Sequence, residues 1–199
     1  MAMLFKEDIL VEANMWLCMR ERGKLVPGSH RDGHNVFTVT GKNWLSKLVA
    51  WSTIGATDIP YTNRRVRWAG VGAGSQIEAP TVSALVTPLL ATVTDYLRPI
   101  QSVVYPTSTS VQFIKEFSTS EITIAQAPVL ITEAGIYADV RPADGGGTED
   151  TSYDPINLPS ATILDPTKGN NALIAYKAFD GLSKTTDFTL ELRWELRFG

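Results

Sequence analysis

Two histidines stand four residues apart in His30-Arg31-Asp32-Gly33-His34, with a carboxylate between them. Imidazole nitrogens and a carboxylate oxygen are donors that divalent transition metals accept. The same groups can move protons near neutral pH. A helix would bring both rings to one face, but the local glycines oppose a helix. An exposed polar loop over 27–34 is the simpler reading. Cys18 is the single cysteine, so no intrachain disulfide forms and a Cys-based metal site lacks partners. As a nucleophile it has no identifiable base, and packing within a strand explains it better.

Gly70-Val71-Gly72-Ala73-Gly74-Ser75 approaches a dinucleotide turn but carries Ser75 where the third glycine belongs. A tight turn between sheet elements is expected there. Asp139, Asp144, Glu149, Asp150 and Asp154 could collect calcium, yet they lack the residue order of a helix-loop-helix calcium site. No set of nucleophile, base and orienting group is visible. The chain therefore reads as non-enzymatic, with no catalytic residue, no cofactor and no metal expected.

Contact chemistry is the remaining possibility. Arg64, Arg65 and Arg67 form the densest basic patch, suited to ion pairs with a partner protein; a solvated strand end is the plainer alternative. Trp16 falls off the apolar parity of its segment and is the tryptophan best placed for a surface contact. Asp144, Glu149, Asp150 and Tyr153 lie in a long glycine- and proline-containing stretch, 141–171, that reads as a binding arm or a plain surface loop.

The elements that must carry these groups are mostly strands. From Phe188 to Phe198 six large apolar side chains alternate with Thr189, Glu191, Arg193, Glu195 and Arg197, the period of a half-buried strand. Val11 to Arg20 alternates as well, and Glu21-Arg22-Gly23-Lys24 suits a turn. Val129 to Tyr137 and Leu173 to Phe179 read as strands, with a bulge expected at Glu133-Ala134-Gly135. The link 180–186 is expected to turn the chain into the last strand as an antiparallel hairpin. One helix is predicted over 41–53, capped by Thr40 and stapled by Val39 and Trp44, with Trp44, Leu45, Leu48 and Val49 forming its apolar stripe.

The 199 residues suffice for one domain with a sizeable core, and 44% hydrophobic against 20% charged residues is a globular balance. A net charge of −3 lacks the positive excess that nucleic-acid binding exploits. No apolar run reaches membrane-spanning length, and Met1 to Leu10 lacks the order of a signal peptide. The expectation is a mainly β antiparallel sandwich or partly closed barrel with one packed helix.

Several phrases resemble small structural proteins of tailed bacteriophages. They are Gly33-His34-Asn35-Val36 leading to Thr40-Gly41-Lys42-Asn43-Trp44-Leu45, then Ala69 to Ser75 followed by Ala79-Pro80-Thr81. Ile131-Thr132-Glu133-Ala134-Gly135-Ile136-Tyr137 comes next, then Leu173 to Phe179 and Ser183 to Asp187 before the final strand. The resemblance implies a virion component: a capsid decoration or cement protein, or a neck, tail or baseplate accessory. It implies a homo-oligomer that contacts the major capsid protein or neck and tail proteins, and it carries no catalytic residues. The long loop and the tryptophans leave a host-surface glycan-binding module as the alternative.

Overall fold

The computed structural model describes residues 11–42, 45, 66–74, 76–89, 96–122, 128–139 and 171–199. They build two antiparallel sheets, one curled into a half-barrel. In chain order the strands are β1 (Val11–Glu21), β2 (Lys24–Leu25), β3 (Arg31–His34), β4 (Val36–Phe37), β5 (Val66–Gly72) and β6 (Arg98–Pro99). Then come β7 (Ser102–Thr107), β8 (Ser110–Phe117), β9 (Val129–Asp139), β10 (Asn171–Lys184) and β11 (Thr189–Phe198). The first sheet runs β2-β1-β11-β8-β7, with β3 also paired to β1; the second runs β4-β10-β9-β5-β6.

Alternation decides the interior of the first sheet. Leu190, Leu192, Trp194 and Leu196 of β11 are buried, opposite Met19, Leu17, Met15 and Ala13 of β1. Trp194 needs a partner for its indole N–H and has one: it donates to the Asn35 side-chain oxygen at 2.7 Å, while the Asn35 amide donates to Ala13 O at 2.9 Å. Asn35 is also the single residue between β3 and β4, where the chain leaves one sheet and enters the other. Arg22 (φ 48°) and Gly23 (φ 81°) form the two-residue turn that joins β1 to β2, both left-handed as a hairpin matched to strand twist requires.

Four expectations are corrected. The segment 180–186 does not turn β10 into β11. β10 continues to Lys184, and the chain then crosses to the other sheet, where β11 pairs with β1 and β8. Alternation reveals which face of a strand is apolar, not which strand lies beside it. The bulge lies on the partner strands, because β9 pairs regularly through 133–135. β10 shifts register between Leu173 and Ala175 and again between Ala178 and Leu182, and β5 shifts between Val66 and Trp68.

Gly70 and Gly72 are not in a turn but inside β5. Gly72 and Gly74 clear space for the side chain of Glu133. A Cβ on Gly72 would strike its carboxylate and stand 2.7 Å from Thr87 O, and one on Gly74 would come within 2.5 Å of Val86 Cβ. Finally, helical residues begin at 39, and Thr38 rather than Thr40 is the cap, accepting from Gly41 N–H at 2.9 Å. Most of the predicted 41–53 helix, Trp44 included, lies outside the described residues, as does the 141–171 excursion apart from Asn171.

Glu133 is fully buried in the second sheet. Its Oε1 accepts from Gly74 N–H (3.0 Å) and Thr87 N–H (2.9 Å), and its Oε2 from Val86 N–H (3.1 Å) and the Tyr176 hydroxyl (3.0 Å). Four donors on two oxygens fill the acceptor capacity of a carboxylate. Burial, reinforced by the Glu133 charge, holds the Tyr176 hydroxyl far above its ordinary pKa, so it remains a donor. One side chain thereby pins the chain leaving β5 at Gly74, the 85–89 segment and β10 together.

Candidate functional site

The polar parities of β1 and β11 converge on the solvent side of the first sheet. Trp16 lies opposite Arg193, and Cys18 opposite Glu191. On the other flank of β1, Asp32 lies opposite Trp16 and Leu25 opposite Arg20. Directly paired residues share a face, so this register sets an indole, a thiol, a carboxylate and two guanidiniums side by side. Gln112 of β8 and His30 complete a groove of about 350 Å³.

Glu191 is the electrostatic centre. Arg20 Nε donates to its Oε2 at 2.8 Å and Arg193 Nε to its Oε1 at 2.6 Å. Burial alone would raise its pKa, but the bonds and charges of Arg20 and Arg193 outweigh burial and hold it below the ordinary range. Glu116 of β8, directly opposite Glu191 on the same face, balances the second cation. Burial, then the nearby Glu191 charge, pushes the Cys18 thiol upward. A thiol kept protonated is a poor nucleophile.

Of the sequence candidates, Trp16 is half-buried and lines this groove. Arg67 is on the second sheet, its guanidinium 5.4 Å over the Trp68 ring, so the two do not share a site. Arg64, Arg65, Asp144, Glu149, Asp150 and Tyr153 lie outside the described residues. The histidine motif is strand β3 rather than a loop from Arg31 to His34. His30 Nδ1 stands 3.9 Å from Asp32 Oδ1, both side chains at least half exposed. Among the described residues no three His, Cys, Asp or Glu side chains converge to hold a metal. Four residues of extended chain span roughly 13 Å, too far for His30 and His34 to join Asp32 on one ion.

Arg20, Glu191, Arg193, Gln112 and Leu25 were not anticipated. The signal was present in part, since Glu191 and Arg193 stand on the polar parity of β11 and Arg20 with Trp16 on that of β1. What joins them is the pairing of the first described strand with the last, about 170 residues apart in sequence, which alternation does not encode.

Comparison with protein-family models, with curated proteins and with solved structures gives no match to this chain.

Proposed function

We propose that this chain is a non-enzymatic structural protein of a virion, acting as a capsid decoration or cement protein that stabilises an assembled shell through protein–protein contacts. The observation that supports the reading best is strand β7. Ser102–Thr107 is exposed along its whole length, with Val103 at 45%, Val104 at 44% and Tyr105 at 75%. It pairs with β8 on one side and has no strand partner on the other among the described residues.

Natural proteins guard such edges with charge, proline or bulges, because an open edge templates pairing with another chain. Here no Asp, Glu, Lys or Arg occurs from Ile100 to Ile114. Pro106, with the register shift after Val104, guards only the distal half. An apolar edge without charge is a natural seat for a strand or loop of a neighbouring subunit. Repeated over a lattice, individually weak contacts of this kind sum to firm attachment. The resemblance to small structural proteins of tailed phages is what directs the reading to a virion.

Mass spectrometry and cryo-electron microscopy of purified particles test the proposal. The expected result is the β-sandwich bound on the outside of the shell with β7 at a protein contact. Absence of the chain from purified particles overturns it.

A further inference from the structure

We propose that β7 pairs antiparallel with β7 of a second copy of this chain, joining two first sheets into one across a two-fold axis. The inference rests on β7 being a contact strand, as read above, but not on the chain belonging to a virion. The other outer strands among the described residues are guarded. β2, β4 and β6 are two residues long, and β6 contains Pro99. β3 spans four residues and carries Arg31, Asp32 and His34. Short length, proline and charge each stop an edge from recruiting another chain. β7 has six residues, and Ser102 to Tyr105 carry neither proline nor charge. It is also held ready. Ser102, Val103 and Val104 lie opposite Ile114, Phe113 and Gln112 of β8, and β8 pairs with β11 at eight positions. Thr107 N–H donates to Ser110 Oγ at 3.1 Å, closing the hairpin. Pairing along this edge therefore does not have to order a loop.

Charge and topology select the occupant. A strand that meets its own copy also meets its own charge, and like charges placed opposite each other destabilise a pair. From Ile100 to Ile114 no Asp, Glu, Lys or Arg repels the copy, and none selects a partner of opposite charge. Val103, Val104 and Tyr105 are β-branched or aromatic, the types that pair best across strands. Pro106 and the register shift after Val104 end the paired stretch, so the axis passes near Val103 or Val104. In the two registers centred there, Val104 meets Ser102 or Val104 of the copy. The far edge of the same sheet, β2 with β3, is short and charged, which opposes head-to-tail stacking. Like edges meet, and the pair closes. A six-residue edge covers less than the roughly 1,200 Å² of a standard interface, so the dimer is weak, with a Kd of about 100 μM.

Sedimentation equilibrium of the full chain from about 10 μM to about 1 mM tests this. A reversible equilibrium between monomer and dimer is expected, with no larger species. Val104→Lys and Val104→Glu are each expected to weaken the dimer at least about tenfold, because like charges then face one another across the axis. An equimolar mixture of the two variants is expected to restore it, since opposite charges then meet. Val104 is 44% exposed and shares its face with Gln112, and an unaltered urea midpoint in dilute solution verifies that the fold is retained. A chain that stays monomeric up to about 1 mM overturns the proposal and leaves β7 to a different protein. Open-ended assembly, a dimer that neither charged variant weakens, or a mixture that restores nothing overturns it as well. The dimer is measured on purified chain, so none of these outcomes bears on whether the chain is found in purified particles.

Discussion

Glu133 and Glu191 are both carboxylates held by a ring of donors, one in each sheet, and they are built for opposite ends. Glu133 takes three backbone amides and a tyrosine hydroxyl in a site closed to water. Every donor is fixed by the chain itself, so nothing is left over for a ligand. Glu191 takes two arginine side chains at the edge of an open groove. Its donors have further nitrogens that the carboxylate does not occupy. A carboxylate satisfied by backbone is a strut, whereas one satisfied by mobile cations organises a surface.

The sharpest way to break the comparison is to remove each carboxylate. Glu133→Ala leaves three amides and a hydroxyl buried without an acceptor, so a loss of at least about 4 kcal/mol is expected in urea unfolding. Failure to accumulate as folded protein would be the same result in its extreme form, and a loss below about 1 kcal/mol would show that water or another group replaces the carboxylate. Gly72→Ala comes next. The new methyl meets the Glu133 carboxylate and the Thr87 carbonyl, and overpacking of this kind costs about 2 kcal/mol. Thermal unfolding checks it, and an unchanged midpoint would mean that β5 can move away from Glu133.

A pH experiment separates the Glu133 strut from another buried ionisable group. Lys184, fully buried at the end of β10, donates to the carbonyls of Glu121 (3.0 Å), Thr119 (3.3 Å) and Thr185 (3.4 Å). Burial lowers its pKa from 10.5 to about 8. Between those values the unfolded chain holds more protons at this site than the folded one, so its contribution to stability grows as pH rises and is lost as pH falls through about 8. Cys18, Tyr137 and Tyr176 shift upward and pull the other way in alkali. The difference between wild type and Lys184→Met therefore isolates the lysine. Wild type should gain stability relative to that variant from pH 8 to 10, and a flat difference would mean that the three carbonyls keep the ammonium charged.

The smallest effect belongs to the groove. Glu191→Gln leaves two arginines facing a neutral amide on a solvent-facing sheet, and about 1 kcal/mol or less is expected in chemical unfolding. A loss as large as that of Glu133→Ala would erase the distinction between strut and surface.

Much of the scaffold was legible along the chain. The unbroken alternation of 188–198 and of Val11 to Arg20 identified β11 and β1 with their buried faces, because a period of two admits only one way to hide the apolar side. Gly23 marked the β1–β2 turn. The glycines at 70–74 misled, since a glycine that permits a turn and one that makes room for a distant carboxylate look alike in sequence. Thr38 was passed over as a cap because Thr40, two residues on, satisfies the same local rule. Of the groove, Trp16 alone stood out as a surface candidate, by falling on the wrong parity.

The amino-acid order by itself determined that this protein is built of strands, which side of its first and last strands is apolar, and where its arginines and its single cysteine fall along them. Those are local consequences of side-chain period and backbone preference. Only the tertiary structure decided that β11 inserts between β1 and β8 instead of folding back on β10, and that Glu133 is sealed within the second sheet. It alone set Trp16, Glu191 and the two arginines around one groove. Neighbour choice depends on burying apolar faces across long loops, an energy no local window contains.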